Sequence, residues 1–194
     1  VFVHEAFGHL SEADFIYENA KMREIMIIGK RFGIDALSII DDGSLVGEAG
    51  YNKYDSEGTP TQKTYLIKNG ILNNRLHSRE TAAKMNEKPT GNARSISYAH
   101  APIVRMTNTY MESRNYPFQK MLSEVDNGIY AIGALGGQTN MEMFTFSAEE
   151  AYMIRNGKIQ EKVRDVVLTG NVFETLMNID AIGNDLEIHG GLGG

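Results

Sequence analysis

The sequence predicts an α+β fold, with N-terminal helices followed by a mostly antiparallel β-sheet with hairpins. Three features carry that prediction. From Val1 to about Lys30 the apolar residues recur at helical spacing, two Asn-Gly dipeptides sit between strand-type segments, and the remaining apolar residues come in short runs closed by turn residues. Helices first and hairpins afterwards are the order of an α+β domain.

The elements follow in chain order. Phe7, Leu10, Phe15, Ile16, Met22, Ile25 and Met26 form the helical stripe, and Gly8 and Ser11 punctuate it, so two helices with a break are expected. Ile34 to Ser44, "IDALSIIDDGS", reads as a buried strand ending in an Asp-Asp-Gly turn. Leu45 to Pro60 is rich in Gly, Asp, Asn and Tyr and reads as a long loop, a length that usually accompanies function or motion. "TYLIKNGILNNRL" and "EAYMIRNGKIQEKV" place Asn69-Gly70 and Asn156-Gly157 between strands, and Asn-Gly tolerates the positive φ that a two-residue hairpin requires. Strands are expected around Pro102 and in "GIYAIGAL", with a helix near Pro117 to Val125 between them. Phe144 and Phe146 alternate with Thr145, and "NVFETLMNI" after Gly170 reads as a short amphipathic helix. On composition the closing "HGGLGG" is a flexible tail.

The chain has 194 residues, 42% of them hydrophobic, which suits one domain with an apolar core. Nineteen basic residues face 25 acidic ones, for a formal charge of −6. With no block of Lys or Arg, no phosphate-binding groove is expected and no direct nucleic acid partner. No apolar run reaches the length of a membrane span, so no membrane is expected either. The absence of cysteine suits a reducing compartment, and a cytoplasmic location is the expectation.

Chemistry concentrates at His4-Glu5-x-x-x-His9. In the common H-E-x-x-H pattern, two imidazoles four residues apart share one face of an α-helix and bind zinc, and the glutamate is the general base. A spacing of five turns the second side chain roughly 140° away at 3.6 residues per turn. An i→i+5 π-type bulge brings it back, and Gly8 is where such a distortion is expected. Taken alone, two histidines and a glutamate read as a surface cluster in preference to a metal site.

Six segments move that balance: "HEAFGHLSEAD", "DDGSLVGEAGYNKYDSEGTP", "YLIKNGILNNRLHSRETA", "TGNARSISY", "RMTNTYM" and "AIGNDLEI". In this order they resemble the catalytic domain of the TldD/PmbA family of zinc metalloproteases, some members of which are labelled modulators of DNA gyrase. The resemblance implies an H-E-x-x-x-H metallopeptidase of the TldD-like kind, with Zn²⁺ as cofactor, His4 and His9 as metal ligands and Glu5 as catalytic glutamate. It also implies an N-terminal domain ahead of residues 1–194, and a third ligand, a cysteine, after a glycine-rich stretch like the one ending at Gly194. The chain therefore reads as a single catalytic domain cut from a longer protein, one that alone holds zinc weakly. The family resemblance further implies a dimer, either a homodimer or a heterodimer with a paired TldE/PmbA-like subunit.

On resemblance, "RMTNTY" and "TGNARSISY" are assigned to the substrate cleft, with Asn92, Arg94, Arg105, Thr107, Asn108 and Thr109 as peptide contacts. Their plainer reading is turn and strand-end chemistry. His77, His100 and His189 read as surface or hydrogen-bonded histidines, and Asp41-Asp42 as a turn. Two functions compete: a zinc peptidase acting on unfolded or leader-type peptides, and a catalytically inactive scaffold of the same family that binds a peptide or a partner. Retention of His4, Glu5 and His9 favours the peptidase.

Overall fold

The computed structural model describes residues 2–188. Its helices are short. A π-helix covers Val3–Gly8 and a 3₁₀ turn His9–Ser11, followed by α1 (Ala13–Glu18), α2 (Ala20–Ile25), α3 (Arg79–Met85), α4 (Phe118–Ser123) and α5 (Val172–Met177). Around them run strands β1 (Ile39–Asp42), β2 (Lys63–Lys68), β3 (Ile71–Leu72), β4 (Ala93–Arg94), β5 (Ile103–Val104) and β6 (Thr109–Met111). The second half adds β7 (Asn127–Ile132), β8 (Gly136–Asn140), β9 (Met143–Ser147), β10 (Glu150–Arg155), β11 (Lys158–Val163) and β12 (Val167–Asn171). All pairings between these strands are antiparallel, in sheets ordered β3-β2-β1-β6, β11-β10-β7, β12-β9-β8 and β4-β5. The α+β expectation holds.

Both Asn-Gly turns close as expected. Asn69 and Gly70 take φ of 51° and 76° between the paired Lys68 and Ile71, and Asn156 and Gly157 take 48° and 70° between Arg155 and Lys158. Gly70 has a second constraint, since a Cβ there would overlap the carbonyl oxygen of Gly33. At α5, Asn171 caps the helix by accepting from the amides of Phe173 and Glu174 at 2.9 and 3.2 Å.

Three features depart from the sequence reading. The first thirty residues form four short helical segments rather than two helices, because Glu12 and Asn19 both adopt extended backbone and each breaks the run. Helix α3 lies in a segment for which no helix was expected; its start is a Ser78/Thr81 capping box. Asp41 and Asp42 belong to β1 and are buried, so they are not the turn expected of them; the turn begins at Gly43.

The core gathers residues from the helices and from the four-stranded sheet. Phe7 and Leu10 from the N-terminal helices meet Ile16, Met22 and Met26 from α1 and its successor, Ile39, Leu66, Ile67 and Leu72 from the sheet, and Val172 and Leu176 from α5. Phe144 and Phe146 of β9 complete it, with the Phe2 and Phe144 ring centroids 5.0 Å apart edge to face. The N-terminal π-helix is thus wedged between the sheet and the β8-β9-β12 hairpin unit, which fixes its orientation.

Candidate active site

The π-helix presents two faces. Val3, Ala6, Phe7 and Gly8 are buried, whereas His4 and Glu5 are half-buried on the other side. Side chains bond to carbonyls of this segment: Thr139 donates its hydroxyl to the Glu5 carbonyl at 2.9 Å, and Ser11 donates to the Phe7 carbonyl at 3.0 Å. Gly8 allows the helix to lie directly on the chain after β5, where a Cβ would overlap Sδ of Met106. The departure from α geometry expected from the five-residue spacing is therefore present, at the expected place.

Its consequence is that residues five apart share a face. The His4 and His9 rings lie 5.8 Å apart between centroids, edge to face. Nε2 of His4 is 3.9 Å from one carboxylate oxygen of Glu5, and Nε2 of His9 is 3.8 Å from the other. Both Nε2 atoms thus converge on one carboxylate without bonding to it. Nδ1 of His9 points the other way, to Glu12 at 3.2 Å. Burial lowers the His4 pKa, while the Glu12 hydrogen bond raises that of His9 against the opposing effect of burial.

Beneath the histidines lies a cleft of about 600 Å³ whose walls include His4, Glu5, His9, Asn92, Arg94, Arg105, Thr107, Asn108 and Thr109, all nine residues singled out from the sequence. A second cleft of about 800 Å³ adjoins the first, and Glu5, His9 and Arg105 line both. Each residue reaches its place by a different route. Arg94 is in β4, Thr109 starts β6, and Arg105 to Asn108 form the segment that connects β5 to β6.

The organiser of this floor is Asp41, which the sequence reading assigned to a turn. Its buried carboxylate accepts from the Thr107 amide, the Thr107 hydroxyl and the Thr109 hydroxyl, each at 2.8 Å, and from Asn92 Nδ2 at 2.7 Å. Four donors on two oxygens match the acceptor capacity of an ionised carboxylate. Burial pushes the Asp41 carboxyl above the ordinary range, and these hydrogen bonds pull in the opposite direction. Asn92, Thr107 and Thr109 therefore direct their polar atoms at Asp41 and shape the cleft floor, while Arg94 and Arg105 reach into the cleft. Asn108 secures the wall: its amide donates to the Asp42 carbonyl at 2.8 Å and its oxygen accepts from Gly50 at 2.9 Å, pinning the long loop. The one signal of this network in the sequence was an acid pair inside an otherwise apolar strand, since a buried carboxylate demands donors.

The remaining histidines are accounted for. His77 is buried, with Thr81 and Glu87 on its two ring nitrogens at 3.1 and 3.0 Å, and His100 is exposed and bonded to Ser97. His189 lies outside the described residues, as does the glycine-rich tail.

The residue model for the PmbA/TldA metallopeptidase C-terminal domain matches residues 1–194. The chain belongs to this family. A metalloprotease of Synechocystis is 56% identical over 185 residues, a match covering 95% of this chain and 40% of the cyanobacterial protein. A zinc metalloprotease TldD homolog of Saccharolobus solfataricus is 33% identical over 193 residues, covering 98% and 43%. The crystal structure of TldE from Thermococcus kodakarensis superposes with a TM-score of 0.78 over 94% of this chain and 41% of that one; at 18% identity it attests the fold alone. The chain thus spans about two fifths of the length of these proteins.

These relatives are named metalloproteases, and imidazole nitrogens are of the kind a transition-metal ion accepts. Two imidazole nitrogens facing one point, with a carboxylate beside them, suit zinc as two of its ligands. Among the described residues, no group of three His, Cys, Asp or Glu side chains is placed to hold an ion. Among the same residues, no helix is long and apolar enough to cross a membrane.

Proposed function

We propose that this is the C-terminal catalytic domain of a longer TldD-like zinc peptidase that hydrolyses unfolded or leader-type peptides. The observation that carries the reading is the convergence of the His4 and His9 Nε2 atoms on the Glu5 carboxylate, which a π-helix permits and an α-helix forbids. His4 and His9 would hold Zn²⁺, and family resemblance puts a cysteine ligand after the glycine-rich segment. When bound, the ion would polarise the scissile carbonyl and acidify a water. Glu5 would take the proton from the attacking water and deliver it to the leaving amine, a role its place between the two histidines suits.

The cleft supports an extended peptide. Strand β6 is the edge of the four-stranded sheet, and Thr109 and Tyr110 within it line the cleft, so a peptide strand could follow that wall with Arg94 and Arg105 contacting it. Pairing with a second subunit, identical or TldE-like, and a cytoplasmic location complete the proposal.

The test uses the full-length protein. Glu5→Gln should retain one zinc per chain and lower the rate of peptide hydrolysis by a factor of about 10² or more, because it removes the base and leaves the ligands. Zinc retained with an unchanged rate would place the base elsewhere. Zinc retained with no hydrolysis in the unaltered protein would favour the peptide-binding scaffold.

A further inference from the structure

Among the described residues, Glu12 is the one buried carboxylate that touches the histidine pair. Its residue is only 5% exposed, on a stretch of extended backbone between the 3₁₀ turn and α1. That backbone is clamped by a parallel bridge to Leu76, in which Ala13 donates to the Leu76 carbonyl at 3.0 Å and Leu76 donates to the Ser11 carbonyl at 2.9 Å. The side chain then divides its two oxygens. Oε1 meets Nδ1 of His9 at 3.2 Å, and Oε2 accepts from Nη1 of Arg105 at 3.0 Å. Arg105 is itself steadied, donating from Nη1 to the Val104 carbonyl at 2.8 Å and from its amide to Asn92 at 2.8 Å.

A buried acid with two fixed partners is costly to place and rewarding only if the geometry it imposes is used. We propose that Glu12 is a positioning residue that holds His9 in its Nδ1–H form, leaving the Nε2 lone pair aimed at the metal position, and holds Arg105 at the junction of the two clefts. The reasoning is one of acceptors. A carboxylate paired with arginine can only accept from the ring, so Nδ1 must carry the proton, and a neutral imidazole then has its lone pair on Nε2. That nitrogen is the one facing Glu5. Free neutral imidazole in water favours the opposite tautomer, so the fold must enforce this one. The same carboxylate couples the ligand to the cation, since one side-chain rotation would release both.

The inference rests on His9 being a zinc ligand, and the experiment separates the two. In the metal-free full-length protein, at a pH where the ring is neutral, nitrogen NMR should find His9 in the Nδ1–H tautomer; the Nε2–H tautomer would overturn the proposal without any substitution. Zinc titration by calorimetry against a competing chelator then compares variants. Glu12→Ala should weaken zinc binding about 10- to 100-fold and shift His9 toward Nε2–H. Glu12→Gln keeps a carbonyl acceptor for Nδ1–H but turns its amide toward Arg105, so it should retain the tautomer and part of the affinity, whereas Glu12→Met, which fills the same space with no acceptor, should lose both, a loss that a packing role would not produce. Should Glu12→Ala fail to fold, the unaltered protein and Glu12→Gln still decide the matter. His9→Ala should abolish zinc binding. If it does not, the zinc reading fails and this inference with it; if it does while Glu12→Ala changes neither affinity nor tautomer, only the role of Glu12 is overturned.

Discussion

Asp41 illustrates how one side chain sets the site. Its carboxylate is matched by four donors, and no neutral side chain of the same shape can accept all four. In Asp41→Asn the new amide faces Asn92 Nδ2 donor to donor, so a loss of about 2–3 kcal/mol is expected in chemical denaturation. A loss below about 0.5 kcal/mol would show that the network is not organising the floor. The histidines carry the pH dependence. Zinc takes the neutral imidazole, so protons compete with it. Because Glu12 raises the His9 pKa while burial lowers that of His4, His9 is the first of the two to protonate as pH falls. Zinc affinity should therefore decline through the His9 titration at a pH above that of an ordinary histidine, with one proton displaced per ion bound in that window. In the metal-free protein the sign is opposite for folding: the raised His9 pKa contributes stability that is present at low pH and lost as pH rises through it. Measuring proton release in two buffers of different ionisation heat checks the first statement.

The π-helix is the element on which the site depends. An α-helix here would turn His9 away from His4, and a longer or shorter turn would break the seat on Met106 that Gly8 provides. Gly8→Ala tests this. The added methyl must displace Met106, which lies between Arg105 and Thr107, so the strain reaches the cleft floor directly. We expect a destabilisation of about 1–3 kcal/mol and a weaker zinc affinity together. A variant with reduced stability and unaltered zinc affinity would separate helix packing from ligand geometry. Compare the Asn69-Gly70 hairpin, where the positive φ of both residues is a local demand and where Gly70 also approaches the Gly33 backbone closely. Both glycines are held by close contacts that the sequence does not show, whereas the positive φ of Gly70 was readable from its neighbours.

Across the whole molecule, His4 and His9, the ligands proposed for zinc, lie on a helical segment packed between the sheet and the β8-β9-β12 unit. Its two faces are divided between core and cleft, so an ion held by His4 and His9 would stabilise the folded domain by mass action. At free zinc about a hundredfold over the dissociation constant, the full-length protein should gain about 2.7 kcal/mol. Thermal unfolding with and without zinc, and with His4→Ala as control, measures it; an equal shift in the control would place the stabilising ion elsewhere. A second tie is the Arg75, Glu87 and His77 group. Arg75 pairs with Glu87 and donates to the Met26 carbonyl at 2.6 Å, joining the end of the helical region to the segment beyond α3. Arg75→Ala leaves the Met26 carbonyl without its donor while Glu87 keeps its bond to His77, and a loss of about 1–2 kcal/mol is expected in denaturant titration.

What could be read without coordinates was whatever neighbours in the chain decide. The Asn-Gly hairpins follow from φ preferences, the short helix after Gly170 from its amphipathic pattern, and the helical distortion from the spacing of His4 and His9 against 3.6 residues per turn. The order of elements, helices before hairpins, followed from the change in periodicity. What the chain did not reveal was set by partners far away in sequence. Asp41 looks like a turn residue until Asn92, 51 positions on, donates to it, and Glu12 looks like a surface acid until Arg105, 93 positions on, closes over it. A carboxylate has the same local chemistry in a turn and in a buried network. Only the folded chain supplies the donors and removes the water, and those two changes turn an ordinary acid into a part of the site.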